Sequence, residues 1–164
     1  MGKVVQFPQK KTLYEATDQI VVLNFASKNF GILTERVVEI ISGKTPLEMV
    51  PNAPNWLSGF ITIRGHLIPV VQLGKLKNID SSPNIGEKIV ILEIGQKYIG
   101  FEVGEVLPDL TRVANNVSLP GLEKWPEFVE KLVPDENSII GIISPEKILS
   151  DTEIDEIWKY SPQQ

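Results

Sequence analysis

One arginine lies between two apolar runs in residues 60–73, which read FITIRGHLIPVVQL. A guanidinium is planar, stays charged and carries five N–H donors, so it can bind a carboxylate through two hydrogen bonds at once. Arg64 therefore has the chemistry of recognition. Two interpretations are open: Arg64 pairs internally with Glu39 and fastens the fold, or it is displayed to a partner. The two are compatible, because an internal pair can also shape a groove.

Side chains that could carry out a reaction are few in this sequence. His66 is the only histidine and there is no cysteine, which excludes a two-histidine metal site, a thiolate metal site and a cysteine nucleophile. The glycines of GQKYIGFEVG at 95–104 lack the spacing of a phosphate-binding loop, and Ser58-Gly59 lacks the G-x-S-x-G frame of a nucleophile elbow. The sequence predicts binding surfaces, with no enzyme activity and no cofactor.

Composition limits the class of partner. The chain has 164 residues, of which 42% are hydrophobic and 23% are charged, as in an ordinary globular domain with a core. The formal net charge of −5 disfavours nonspecific binding to nucleic acid or to anionic lipid, since both attract basic surfaces. No apolar run is long enough to cross a bilayer, and the first residues lack the pattern of a secretion signal. We expect a cytoplasmic protein with no nucleic-acid partner and no direct membrane insertion.

Short runs rich in isoleucine and valine dominate the chain and are separated by glycine, proline or asparagine. Examples are IVVLNF at 20–25, KIVILEI at 88–94 and SIIGII at 138–143, which have the length of strands and are too short for packed helices. The pattern predicts a mainly β protein. Residues 1–17 contain few apolar side chains and are predicted to form a flexible N-terminal tail, so the single folded domain is expected over 18–160.

Two segments of the chain repeat each other. IVVLNFASKNFGILTERVV at 20–38 aligns with IVILEIGQKYIGFEVGEVL at 89–107, and both carry a lysine in the turn and a glycine in the second strand. One interpretation is that any two β-hairpins look alike. We favour two related β-barrels in tandem, joined by a linker rich in turn-forming residues. The expected limits are about 18–75 for subdomain one, 76–88 for the linker and 89–143 for subdomain two.

Helical signal is concentrated towards the end of the chain. Ser144 is a candidate N-cap and Pro145 suits the first helical position, so an amphipathic C-terminal helix is predicted over 145–160. Its apolar side chains share one face: Ile154, Ile157 and Trp158. A second helix is predicted within 122–133 and begins at Pro126, because proline interrupts the interior of a helix.

The arginine hairpin and its flanking segments resemble the CheW-like coupling domain of bacterial chemotaxis and of related pilus-control systems. The family pattern G-x-x-N-L-R-G-x-x-x-P-V-x-D-L runs over residues 59–73 and is matched at Gly59, Arg64, Gly65, Pro69, Val70 and Leu73. Further similar segments are NFGILTERVVEII at 29–41, VPNAPNWLSGF at 50–60 and KIVILEIGQKYIGFEVGEVLPDL at 88–110. The resemblance therefore covers about residues 18–160.

The chain departs from the family pattern at a few positions. Thr62 replaces the usual Asn, Gln72 the usual Asp, Gly74 a frequent Arg and Gly104 a common Asp. The absence of the Asp and of the following Arg removes charges that could orient neighbouring loops. These departures leave the fold prediction unchanged.

The resemblance implies both a fold and a role. The implied fold is two intertwined, five-stranded SH3-like barrels followed by a C-terminal amphipathic helix. The implied role is a non-enzymatic adaptor that joins a CheA-type histidine kinase, through the regulatory domain of that kinase, to the cytoplasmic tip of a methyl-accepting chemoreceptor. Recruitment to membrane receptor arrays would then occur through these partners. The alternative function is a small-ligand-binding or self-associating β-barrel module.

The same resemblance implies where partners bind. The counterparts of Val37, Glu39, Ile40 and Arg64 lie in or near the docking surfaces of the family, and Gly65 completes the Arg64 turn. Each residue also has a plainer interpretation. Val37 and Ile40 could belong to the core, and Glu39 could be a solvated strand residue.

Overall fold

The fold is that of a computed structural model, which describes residues 17–79, 87–107, 111–114 and 117–162. The strands in these ranges are β1 (Thr17–Phe25), β2 (Lys28–Leu33), β3 (Val37–Ser42), β4 (Leu57–Ile63), β5 (His66–Val71), β6 (Lys88–Ile94), β7 (Lys97–Val103), β8 (Glu105–Val106), β9 (Thr111–Ala114), β10 (Val129–Asp135) and β11 (Ser138–Ile143). The helices are α1 (Leu73–Leu76), α2 (Pro145–Ile148) and α3 (Asp151–Trp158), with 3₁₀ turns at Thr34–Arg36 and Leu122–Lys124.

The strands form two sheets. The first has the order β10-β11-β2-β1-β8, with β9 also paired to β1, and the second has the order β3-β6-β7-β5-β4. Most neighbouring strands are antiparallel, but β11 pairs with β2 in parallel and so does β5 with β7. Sheets of six and five strands, with few helices and a helix at the C-terminal end, confirm the predicted mainly β fold with two subdomains.

The repeat seen in the sequence is also a repeat in strand register. Each residue pair of the β1–β2 hairpin has a counterpart in the β6–β7 hairpin, 69 positions later. Val22 pairs with Gly31, for example, and Ile91 pairs with Gly100. The offset of 69 is the same as that of the sequence repeat, so the turns of the two hairpins fall at matching positions, as expected for two related units.

A second repeat, which the sequence did not reveal, relates the β4–β5 hairpin to the β10–β11 hairpin. Here the offset is 72 positions, as in the pairs Thr62–Leu67 and Pro134–Ile139. The register shift of a β-bulge follows the first pair in both hairpins. The short helices α1 and α2 begin at matching positions as well, at Leu73 and Pro145.

Each sheet combines strands from both halves of the chain. In the first sheet the β1–β2 hairpin lies between β8 and β11 and is hydrogen-bonded to both strands. In the second sheet the β6–β7 hairpin lies between β3 and β5 in the same way. The exchange is reciprocal, since Val37 of β3 pairs with Leu92 while Val106 of β8 pairs with Leu23. The two units have therefore swapped their first hairpins, which is the intertwining that the family resemblance implies.

The sheets do not correspond one to one with the predicted subdomains, because a hairpin sequence specifies its own pairing but not the sheet that it joins. The limits 18–75, 76–88 and 89–143 stay a prediction, and residues 80–86 of the linker lie outside the described part of the chain. The predicted N-terminal tail also lies outside it except for Thr17, which begins β1.

A closely packed glycine lies at the same place in both units. A Cβ added to Gly31 would lie 2.8 Å from the Ile20 side chain, and one added to Gly100 would lie 2.9 Å from Ile89. These distances are shorter than van der Waals contact, so a larger residue at either position would require the isoleucine side chain to move. The matched glycines of the sequence repeat are therefore packing residues.

The buried apolar residues form a central core to which both sheets contribute and a smaller core within each sheet. The central core contains Leu23, Phe30, Leu92 and Phe101, among others. The smaller cores are Ile20, Val22, Val113, Val133, Ile140 and Ile142 in the first sheet, and Ile68, Val70, Ile89 and Ile91 in the second. The shared central core fixes the two sheets against each other, because separating them would expose large apolar side chains.

The helix predicted from Pro126 is wrong. Val129–Asp135 is strand β10, preceded by the 3₁₀ turn Leu122–Lys124. Phe128, Val129, Leu132 and Val133 fit the spacing of a helix face, but pairing with β11 satisfies the backbone and buries all four side chains in the cores.

The predicted C-terminal helix is divided into two. After α2, the chain is extended at Leu149, and α3 restarts with Ser150 as the N-cap. The Ser150 hydroxyl accepts from the Glu153 amide, while the Glu153 carboxylate accepts from the Ser150 amide, which is a capping box. Ser144 precedes α2 without a side-chain capping bond.

Candidate functional site

Arg64 lies at the tip of the β4–β5 hairpin. Ile63 pairs with His66, so Arg64 and Gly65 alone form the turn. Both have left-handed backbone, with φ of 50° and 81°. Such turns match the twist of the flanking strands and favour asparagine or glycine, whereas an arginine in the left-handed region is strained. The presence of Arg64 is therefore better explained by its side chain than by its backbone preference.

Arg64 forms an ion pair with Glu39 on β3. The Arg64 Nη1 donates to the Glu39 Oε1 at 2.8 Å, and the side chains are 73% and 29% exposed. Because β3 and β4 are the two edges of the second sheet, this pair links opposite edges. An ion pair so exposed contributes at most about 1 kcal/mol to stability. The internal pair exists, yet the guanidinium remains accessible to another protein.

The pair borders a surface depression of about 130 Å³. We name it the Arg64 depression. The residues that line it are Val38, Glu39, Ile63, Arg64, His66, Ile68, Ile91 and Tyr98. Most of the lining side chains are aliphatic or aromatic, and one ion pair supplies the charge. An apolar surface of this kind can accept the apolar face of a helix, while the arginine selects for a carboxylate.

Comparison with known proteins identifies the family. The family model of the CheW-like domain matches residues 19–153, which is most of the chain. The chain belongs to the CheW-like domain family. The resemblance found in the sequence is therefore confirmed.

Individual relatives agree with this assignment. The CheW-like chain is 26% identical over 148 residues to a chemotaxis protein CheW of Thermotoga maritima, covering 89% of this chain and 98% of the relative. It is 23% identical over 150 residues to a probable chemotaxis protein CheW of Rhizobium etli, covering 87% and 94%. The crystal structure of the scaffolding protein TtCheW from Thermoanaerobacter tengcongensis matches with a TM-score of 0.67 and 25% identity, over 81% of this chain and 88% of that one. These findings support the predicted role as a chemotaxis adaptor and do not favour the alternative of a ligand-binding or self-associating module.

The structure brings only some of the predicted site residues together. Arg64 and Glu39 line the depression, whereas Val37 is half-buried and packs against the central core. Ile40 is 37% exposed but does not line the depression. Gly65 shapes the turn, and its Cα faces open space.

Val38 is a lining residue that the sequence interpretation missed. It is 45% exposed and lies in the depression beside Glu39. The register of β3 shifts between Val37 and Glu39, so simple alternation along the strand does not hold there. The available signal was the apolar run VVEII at 37–41, which is apolar on both faces although β3 is an edge strand.

A second ion pair holds the start of β3. The Arg36 guanidinium binds the Glu146 carboxylate of α2 through two nitrogens, at 3.0 and 2.6 Å. The hydrogen bond from Arg36 lowers the pKa of the Glu146 carboxyl and the same bond raises the pKa of Arg36. Arg36 follows β2 in the first sheet and precedes β3 in the second, so the pair fixes the crossing that positions Val38 and Glu39.

The described residues contain no group of three or more histidine, cysteine, aspartate or glutamate side chains that could hold a metal ion. None of the helices in the described ranges is long and apolar enough to span a membrane. His66 is exposed, and its ring packs edge-on against Tyr98 at a centroid distance of 4.8 Å.

Proposed function

We propose that this CheW-like chain is a non-enzymatic adaptor of the cytoplasm that couples a CheA-type histidine kinase to chemoreceptors, in a complex for chemotaxis or pilus motility. It binds the regulatory domain of the kinase and the cytoplasmic tip of a methyl-accepting chemoreceptor, and reaches receptor arrays through these partners. Family membership and the chemotaxis relatives support this proposal.

The observation that carries the proposal is the state of Arg64. A strained backbone holds it at a hairpin tip, one nitrogen is anchored by Glu39, and most of the side chain stays exposed beside an apolar depression. Anchoring reduces the entropy lost on binding, since the guanidinium is already oriented. A partner helix that places a carboxylate at the depression would complete the bidentate contact.

The proposed partner-binding residues act in different ways. Arg64, Glu39 and Val38 contact the partner, and Ile40 extends the apolar contact along β3. Val37 acts by packing β3 against the core, and Gly65 acts through the turn that presents Arg64.

The test is the substitution Arg64→Asp, with binding to the cognate kinase regulatory domain and to a receptor-tip fragment measured by isothermal titration calorimetry. We expect affinity for at least one partner to fall by about tenfold or more, as for a charged contact near the centre of an interface. Arg112→Asp on β9 is the matched control, because Arg112 is also exposed but lies in the other sheet. Unchanged affinity for both partners at equal protein levels contradicts the proposal.

A charge swap separates display from internal fastening. The double variant Arg64→Glu with Glu39→Arg keeps an ion pair between the same two positions but reverses the charge at the hairpin tip. If Arg64 acts on the partner directly, binding stays weak in the double variant. If binding returns to the level of the unmodified protein, the internal pair alone matters and Arg64 is not a contact residue.

A further inference from the structure

A second, larger depression adjoins the Arg64 depression. We name it the Trp158 depression, and its volume is about 230 Å³. The residues that line it are His66, Leu67, Glu93, Gln96, Lys97, Tyr98 and Trp158. His66 and Tyr98 line both depressions, and their rings are in edge-on contact. The two depressions therefore lie on either side of one aromatic pair and form a continuous surface.

The C-terminal helix supplies one wall of this surface. Trp158 at the end of α3 packs against Phe60 with ring centroids 6.0 Å apart. The helix is held by an ion pair of 2.7 Å between Lys77 and Glu153. The Lys97 ammonium lies 4.8 Å from the centroid of the Trp158 ring, which is a cation–π contact. The wall is thus fixed before any partner arrives.

The charges of the combined surface are balanced and distributed. Arg64 is paired with Glu39 in the smaller depression, while Lys97 and Glu93 line the larger one together with His66. Such a surface suits a partner with an apolar stripe and polar flanks of both signs, and disfavours a uniformly charged one. An amphipathic helix has this chemistry, and successive turns of a helix present side chains to two adjoining depressions.

We propose that the receptor-tip helix which contacts Arg64 continues across the His66–Tyr98 pair, so that Lys97 and Trp158 are contact residues for the same helix. This inference rests on the proposed function. It assigns the C-terminal helix a direct part in receptor binding, in addition to covering the second sheet. A carboxylate on the flank of the receptor helix is expected to pair with Lys97.

The repeat provides a matched control for the test. Lys28 is the counterpart of Lys97 in the other hairpin, and its ammonium lies 4.5 Å from the centroid of the Trp125 ring. Both lysines thus make a cation–π contact at the same hairpin position. Lys28 lines neither depression. Lys97→Glu and Lys28→Glu therefore carry similar structural costs but differ at the proposed surface.

The experiment measures binding of a receptor-tip coiled-coil fragment and of the kinase regulatory domain to Lys97→Glu, Lys28→Glu and Arg64→Asp, with circular dichroism confirming the fold. We expect Lys97→Glu to weaken receptor binding by about tenfold, which corresponds to about 1.4 kcal/mol. Lys28→Glu should change it by less than about twofold, within the usual range for a charge outside an interface. Kinase binding should be unchanged in both lysine variants.

Four other results overturn the inference. If Lys97→Glu and Lys28→Glu weaken receptor binding equally, loss of the cation–π contact explains the effect. If Lys97→Glu weakens only kinase binding, the occupant is the kinase. If Arg64→Asp weakens receptor binding and Lys97→Glu does not, the receptor contact ends at Arg64, and the proposed function stands. If neither Arg64→Asp nor Lys97→Glu changes binding to either partner, the proposed function itself fails.

Discussion

Arg64 and Glu136 occupy the same position in the two copies of the repeat, 72 residues apart, and both have left-handed backbone with φ of 50° and 47°. The two copies thus share a strained turn position but carry opposite charges there. Left-handed backbone is unfavourable for both residues, so backbone preference explains neither of them. This comparison separates backbone strain from partner contact experimentally.

Asparagine is therefore expected to stabilise both turns. Glu136→Asn should raise the free energy of unfolding by about 0.5 kcal/mol, because asparagine tolerates the left-handed region better than glutamate. Arg64→Asn gains the same relief of strain but loses the ion pair with Glu39, so its free energy of unfolding should rise by less. Only Arg64→Asn should also weaken receptor binding. Urea denaturation and calorimetric binding test this, and a variant Arg64→Asn that binds normally would show that the arginine is not a contact residue.

The ion pair of Arg36 with Glu146 has no counterpart in the other copy, because the matching positions hold Glu105 and Gly74. Gly74→Arg should supply the missing cation. The variant is expected to be more stable than Gly74→Ala by about 0.5 kcal/mol, the usual value of an exposed ion pair. The alanine variant controls for the helix propensity of α1.

Chemical denaturation measures both variants, and Glu105→Gln should abolish the difference between them. A difference that survives Glu105→Gln would mean that the arginine at position 74 acts on another group.

Stability should fall in acid through the Glu153 carboxylate. Burial alone would raise its pKa, but hydrogen bonds from Lys77 and Ser150 outweigh burial and lower it below the ordinary 4.5. A carboxyl whose pKa is lower in the folded state stabilises fully above the unfolded pKa, and the stabilisation is lost as pH falls through the folded pKa. Glu153→Gln should therefore cost about 0.5–1 kcal/mol at pH 7, since a partly exposed carboxylate is screened by water.

The measurement for Glu153 is urea denaturation of both proteins between pH 7 and pH 3. The difference between Glu153→Gln and the unmodified protein should shrink below about pH 4.5. Glu156→Gln is the control, because Glu156 lies on the same helix and its ion pair among the described residues is with the exposed Lys159. If the difference in the free energy of unfolding is the same at every pH, the charge of Glu153 does not account for it.

The exchanged hairpins predict that neither half of the chain is an independent domain. A protease site inserted within residues 80–86 of the linker, followed by cleavage, should leave the two fragments together as one particle. Each sheet then still contains strands from both fragments, and the central core remains buried. Light scattering with size-exclusion chromatography measures this, and two separately folded fragments would contradict it, as would folding of one fragment alone.

The sequence predicted what depends on local pattern. The β-branched runs predicted the strands, and the matches of Lys28 with Lys97 and of Gly31 with Gly100 made the first repeat visible. The second repeat escaped detection, since only its register is retained: Pro69 corresponds to Gly141, and Arg64 to Glu136.

What the sequence could not predict depends on distant partners. The helix expected from Pro126 was wrong. The spacing of its apolar residues is compatible with both a helix and a strand, and pairing with β11 stabilises the strand. Val38 escaped the site prediction because a bulge alters the alternation of β3. The pair of Arg64 with Glu39 was one of two alternatives that the sequence left open, and it is present in the structure. The depression beside the pair could not be predicted, because Ile91 and Tyr98 of the other repeat unit complete its lining.

The most direct test of the adaptor function is the composition of the complex that this chain forms with a kinase regulatory domain and a receptor-tip fragment. Analytical ultracentrifugation of the three components should show a species that contains all of them, and omission of this chain should leave the kinase domain and the receptor fragment largely apart. If the kinase domain and the receptor fragment associate equally well without this chain, or if this chain binds neither of them, the adaptor function is contradicted.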